Sequence, residues 1–198
     1  MRRFAAATLA VVLASTLAGC SSPNDDLAKQ YQSGGNQGFI SGDGTVVEIA
    51  PEDRGEPIVF TGTSIDGDVV SSEDYAGDVV VVNFWYAGCG PCRAEAPILE
   101  ETYGDVKDAG ADFLGVNIYD GAEQATSFED TFGITYPSLL ARKDAALKLA
   151  FAESTSLQAA PTTLVLDKEG RVAARIVGQL QSASVLKTLV TDAVAETP

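Results

Sequence analysis

The chain has 198 residues, among them no histidine, one methionine at position 1, and three cysteines, Cys20, Cys89 and Cys92. Without histidine there is no Ser-His-Asp or Cys-His catalysis, no imidazole-held zinc or copper, and no imidazole axial ligand for haem. Without an internal methionine a thioether copper site is excluded as well. Basic side chains are scarce: 13 Lys and Arg stand against 28 Asp and Glu, a net charge of −15. A surface of that sign repels phosphate backbones, so no nucleic-acid partner is expected. Apolar residues at 45% and charged residues at 21% set the chain apart from disordered sequences. Its length allows one well-buried core and not two large domains.

The basic Met1-Arg2-Arg3 precedes an apolar run from Phe4 to Leu17, too short to span a bilayer comfortably as a mature helix. Residues 1–19 read as a secretory signal peptide. Leu17-Ala18-Gly19-Cys20 resembles the lipobox of bacterial lipoproteins, in which a diacylglyceryl group is transferred to the cysteine sulfur before cleavage. A lipidated Cys20 can neither pair nor bind metal, which leaves Cys89 and Cys92 as the usable thiols. The alternative is an ordinary signal peptide cleaved nearby, with Cys20 an unpaired thiol. Beyond residue 19 stand 11 basic and 28 acidic side chains, a formal charge of −17. That acidity suits a solvated exported surface and requires no partner. Residues 20–50, with Ser33-Gly34-Gly35-Asn36-Gln37-Gly38, are polar and Gly-rich and read as a flexible tether. A tether of about 25 residues reaches roughly 25 to 30 Å, far enough for membrane-embedded partners. Within it Val46-Val47-Glu48-Ile49 reads as a short strand or extended segment.

Residues 51–198 carry the strong signals. Ile58 to Thr63 and Asp68 to Ser71 flank Asp66-Gly67, a hairpin signal. Ser71 to Tyr75 reads as a capped turn. Val79 to Val82 is apolar and β-branched without alternation, as in a strand covered on both faces. Gly88, Gly90 and Pro91 break that strand and open a helix expected to run to about Ala109, stopped by Gly110, with Pro97 inside it as a kink. A second central strand is expected over 112–119, helices over 122–132 and 145–151, strands over 162–166 and 171–177 joined by a turn at 167–170, and a last helix over 183–195. A β-α-β crossover followed by an antiparallel pair and a helix gives an α/β fold, a mixed sheet flanked by helices, with an N-terminal β-hairpin and an inserted helix.

The chemistry concentrates at Cys89-Gly90-Pro91-Cys92. A Cys-x-x-Cys pair at the mouth of a helix following a strand reads as a redox dithiol, because unpaired N–H groups and the helix dipole favour a thiolate. Cys89 fits an exposed attacking thiolate and Cys92, one turn further in, a partly buried resolving thiol. Half a zinc site is the competing reading, but neither histidine nor further cysteine exists to complete four ligands, and no metal is expected. A purely structural disulfide is the other, though so small a loop adds little stability. Glu95, three residues after Cys92, shares its side of the helix. It reads either as a carboxylate that exchanges protons with the thiols or as a solvated glutamate favoured by the helix dipole. Pro161 opens a strand; cis X-Pro bonds are a small minority, and the residues alone leave its isomer open.

Val82-Asn83-Phe84-Trp85, Cys89 to Pro97, Ala160-Pro161-Thr162-Thr163 and Leu166-Asp167 together resemble the TlpA/ResA-like thiol-disulfide oxidoreductases, tethered extracytoplasmic members of the thioredoxin superfamily. The resemblance covers about residues 51 to 195. It implies a thioredoxin-like fold, attack by Cys89, resolution by Cys92, tuning by Glu95 and a cis bond before Pro161. Asn83 stands where thioredoxins carry a buried aspartate, which leaves Glu95 to handle protons. Gly88 stands where the family usually has Trp, a departure that makes this side of Cys89 smaller and more flexible. The expected function is a lipid-anchored extracytoplasmic enzyme that reduces disulfides of exported proteins, with apocytochrome c as one substrate the resemblance points to, and is recharged by a membrane thiol donor. No cofactor is expected beyond the Cys89–Cys92 disulfide. A thiol peroxidase on the same fold and a non-catalytic lipoprotein binding module are the alternatives.

Overall fold

The structure is a computed structural model that describes residues 39–41, 44–156 and 159–197. The signal peptide at 1–19, Cys20 and the tether up to residue 38 lie outside the described residues.

The organising strand is β5 (Val79–Trp85), every residue of which is buried. Its neighbours are β6 (Ala111–Asn117), parallel to it, and β8 (Thr162–Leu166), antiparallel. Outward from β6 lies parallel β7 (Ser138–Leu140). Outward from β8 lie antiparallel β9 (Val172–Val177), then β2 (Gly44–Glu48) and β1 (Phe39–Ser41). A hairpin of β3 (Thr61–Thr63) and β4 (Val69–Ser71) stands outside this seven-stranded sheet, tied to it by a bridge from Ser64 to Leu139. Among the described residues the α-helices are α1 (Gly90–Val106), α2 (Ala122–Phe132), α3 (Ala145–Phe151) and α4 (Ala183–Ala195). This mixed sheet with helices on both faces is the thioredoxin-like architecture.

Strand periodicity distributes the core. Val79 and Val81 point to the face covered by α1 and α4, where they meet Leu99, Leu186 and Val190. Val80, Val82 and Phe84 point to the other face and meet Leu147 and Phe151 of α3. Asn83 and Trp85 share the parity of Val79 and Val81, so alternation alone turns the polar Asn83 towards α1.

Helix boundaries follow their expected punctuation. After α1, residues Lys107–Ala109 tighten into a 3-10 turn and Gly110 takes φ 89°, a left-handed conformation that closes the element. Pro97 lies inside α1 and offers no N–H to the carbonyl four residues earlier, that of Arg93. The turn after β4 carries a capping box between Ser71 and Asp74.

Two expectations are corrected. The tether was expected to extend to residue 50, yet β2 pairs along β9 from Thr45↔Val177 to Glu48↔Ala174, and Val46 is buried in the core. Open backbone groups on β9 and an apolar side chain on the inner face outweigh the polar composition around them. The expected hairpin strand from Ile58 is shorter, starting at Thr61, although Ile58 and Phe60 are buried. β7, not expected as a strand, pairs with β6 and takes a single bridge from Ser64.

Charged groups fasten the ends of the domain. Arg54, 3% exposed, donates to Asp167 at 2.9 Å and pairs with Glu196 at 2.6 and 2.7 Å. Asp167 is 2% exposed and also accepts from the Arg171 backbone and guanidinium, which closes the β8–β9 turn. The segment before the hairpin, that turn and the end of α4 are thus held by one buried network.

Candidate active site

Because β5 ends at Trp85 and α1 starts at Gly90, four residues carry the chain from sheet to helix, and Cys89 is the N-cap of α1. Its sulfur accepts the Cys92 N–H at 3.1 Å, one of the donors a helix start leaves unpaired. Cys89 and Cys92 form a disulfide with their Cα atoms 5.2 Å apart. Pro91 sits in the first turn, where its missing N–H costs nothing. Cys89 was expected to be exposed, but both cysteines are 2% exposed. The reason is packing: they belong to an apolar cluster with Trp85, Ala96, Ala125 and Phe128, against which Ala160 is also packed. Access to Cys89 comes past the exposed Gly88 and Gly90 that flank it. The Ala160–Pro161 peptide bond is cis.

The loop before Cys89 is held from both sides. The Ala87 N–H donates to Asp120, whose carboxylate is itself oriented by the Asn117 amide at 2.9 Å. Arg93, stacked 5.1 Å over the Phe132 ring, reaches back to the Ala87 carbonyl at 3.4 Å. The flexibility expected from Gly88 is therefore limited by its anchored neighbour. A Cβ at Gly88 would meet the Tyr86 ring at 3.6 Å, an ordinary contact. The Tyr86 ring packs edge-on to the exposed Tyr119.

Glu95 is not solvated. It is 1% exposed, with Oε1 accepting from Asn83 Nδ2 at 2.9 Å and Oε2 from the Leu180 N–H at 2.7 Å. Asn83 also donates to Thr163 Oγ1 at 3.0 Å, its partner across the β5–β8 register. Burial pushes the Glu95 carboxyl up to about 7, with the Leu180 N–H and the Asn83 amide holding it from rising further. A carboxyl poised near neutrality exchanges protons in either direction at physiological pH. Sequence reading found Glu95 and Asn83 but not Thr163 or Leu180. A polar residue at an inward position of an apolar strand is the signal that would have found Thr163. Nothing local marks the Leu180 N–H, which arrives from a loop 85 positions away.

Behind Cys92 is a small cavity of about 10 Å³, lined among others by Asn83, Trp85, Tyr136 and Ser138. Burial raises the Tyr136 phenol well above its ordinary range, and the charges of Glu95, Glu100 and Glu129 add to the effect.

Fold and site together define a dithiol protein of thioredoxin-like architecture, built to exchange a disulfide at the mouth of its first long helix. The sequence profile described as Redoxin matches residues 48–190, and the chain belongs to that family. The chain is 31% identical to the thiol-disulfide oxidoreductase ResA of Geobacillus kaustophilus over 130 residues, 66% of this chain and 72% of that one. Among solved structures it resembles a DsbF homologue from Corynebacterium diphtheriae, with TM-score 0.66 and 30% identity over 80% of this chain and 99% of that one. A secreted thiol-disulfide isomerase from Corynebacterium glutamicum gives TM-score 0.69 and 27% identity over 81% and 100%. The chain is a ResA-like member of the thioredoxin superfamily and a thiol-disulfide oxidoreductase.

Proposed function

We propose that this enzyme works outside the cytoplasm, anchored through lipidated Cys20, and reduces disulfides of exported proteins. The observation that carries the reading is the Cys89 sulfur capping α1 and accepting the Cys92 N–H, a geometry that favours a thiolate on Cys89 over one on Cys92. Cys89 attacks the substrate disulfide, Cys92 resolves the mixed disulfide, and Glu95 takes up or returns protons. Ala160, beside cis-Pro161, offers its backbone polar groups to an extended substrate chain. No cofactor is needed beyond the dithiol. Electrons arrive from a membrane thiol donor within reach of the tether, and the resemblance to ResA-like proteins suggests apocytochrome c thiols as one product. The export signal, the lipobox and the secreted relative support the location. Among the described residues no helix is long and apolar enough to cross a membrane.

The Gly90-Pro91 dipeptide between the two cysteines supports the reducing direction, since thioredoxin is poised at about −270 mV. Equilibrium titration of the Cys89–Cys92 pair against glutathione tests it. A potential in the thioredoxin range is expected, and one near that of DsbA, about −120 mV, overturns the reductase reading.

A further inference from the structure

Glu95 is sealed from solvent with both oxygens engaged. A different set of groups faces the cavity behind Cys92. Its volume of about 10 Å³ is room for about one water, and a stable buried water needs two or more polar partners. The Ser138 hydroxyl lines it, is 2% exposed, and has no hydrogen-bond partner. An orphaned buried hydroxyl is unfavourable, and a water in the cavity would relieve it.

Ser138 is where it is because Gly115, its register partner on β6, has no side chain. A Cβ there would lie 2.0 Å from Ser138 Oγ and 2.8 Å from Trp85 Nε1. The Ser138 hydroxyl is near enough to act on Glu129 of α2, whose Oε1 is likewise buried and unpartnered. The hydroxyl draws the Glu129 carboxyl down, against the upward push of burial, of Asp66 in the β3–β4 turn and of Asp130 on its own helix. The two groups are thus close, but neither completes a hydrogen bond as they stand. Unlike Glu95, Glu129 is half-buried and open to solvent on one side. The Tyr136 phenol lines this space as well, and the other charged groups that act on it are Glu95 and Glu100 of α1.

We propose that one water in this cavity relays a proton from the Cys92 sulfur through the Ser138 hydroxyl to Glu129, giving the resolving thiol a route to solvent separate from Glu95. In the resolving step Cys92 S–H gives its proton to the water, the water passes one to Ser138, and Ser138 passes its own to Glu129. The Cys92 thiolate attacks Cys89 Sγ. The Cys89–Cys92 bond forms, the bond from Cys89 to the substrate sulfur breaks, and the substrate departs as a thiolate that takes a proton from solvent. The enzyme pair is oxidised and the substrate sulfur reduced. The relay rests on dithiol exchange itself and runs in either direction of net electron flow.

The test is stopped-flow reaction of the reduced protein with excess chromogenic aromatic disulfide, in which the first released thiol reports attack by Cys89 and the second reports resolution by Cys92. In Glu129→Gln and in Ser138→Ala the second phase is expected to slow about tenfold below neutral pH, less than the roughly hundredfold or more typical of losing a general base, because Glu95 remains. The first phase is expected to stay within about twofold of the parent. Added formate should restore the second phase of Glu129→Gln in proportion to its concentration, because that site opens to solvent. Second phases within about twofold of the parent in both variants overturn the relay, as does a slowing that formate does not relieve. A parent protein with no first phase overturns the exchange reading itself.

Discussion

Glu95→Gln isolates the cost of keeping a carboxyl among apolar neighbours. The substitution preserves shape and removes the titration. In the unfolded chain Glu95 titrates near 4.5, and in the fold near 7. Below 4.5 both states hold the proton and the carboxyl costs nothing electrostatic. Between the two values the unfolded chain has lost a proton that the fold retains, so stability falls as pH rises. Above 7 both states are ionised and the full penalty remains. At about 1.36 kcal/mol per pH unit the penalty comes to about 3 kcal/mol, an order-of-magnitude figure. Glutamine also has its own cost, since its NH2 group must face either the Asn83 amide or the Leu180 N–H, but that cost is the same at every pH. Contributions from the other ionisable groups cancel in the difference between the two proteins. Urea unfolding of the oxidised protein should therefore show the stability of Glu95→Gln minus parent rising by about 3 kcal/mol between about pH 4 and about pH 8.5. A difference that stays flat, or that rises only around the ordinary glutamate range, refutes the burial argument.

Cys92→Ser should stall as a mixed disulfide on Cys89 when offered a disulfide-bonded protein, visible as a shifted band on a non-reducing gel, whereas Cys89→Ser should trap nothing. Trapping by Cys89→Ser would reverse the assigned roles. Gly115→Ala puts a methyl group into space held by Ser138 and Trp85 and should cost about 2 kcal/mol in denaturant unfolding. An unchanged midpoint would show that the β6–β7 contact yields easily. Arg54→Ala strips a buried partner from Asp167 and should destabilise by about 3 kcal/mol, the lower end for such losses because Arg171 remains bonded to Asp167. Thermal unfolding with no lowered midpoint would mean that Arg171 alone suffices.

Most of the fold was legible because its signals are local. The valine run announced β5, Gly110 and Gly133 marked helix ends through their left-handed backbone, and Asp167 to Gly170 marked a turn. What was not legible depended on partners distant in sequence. β2 overlaps the short strand expected over Val46 to Ile49, but that it belongs to the sheet and not to the tether is decided by β9, and β7 is a three-residue strand held between β6 and the bridge from Ser64. The burial of Cys89 was misread for the same reason, since Ala125, Phe128 and Ala160 arrive from elsewhere in the chain to cover it.

The sequence by itself determined the chemistry: two thiols three residues apart, no histidine to offer another reaction, and a glutamate one turn beyond them. These are properties of residue type and short spacing, and short spacing survives into the helix unchanged. Only the tertiary structure decided what that glutamate is. Asn83 from β5 and the Leu180 N–H from a distant loop enclose it, and removal from water, which no neighbour in sequence can accomplish, turns an ordinary acid into one that titrates near neutrality. The cavity that joins Cys92 to Ser138 is likewise made by elements that meet only when the sheet closes.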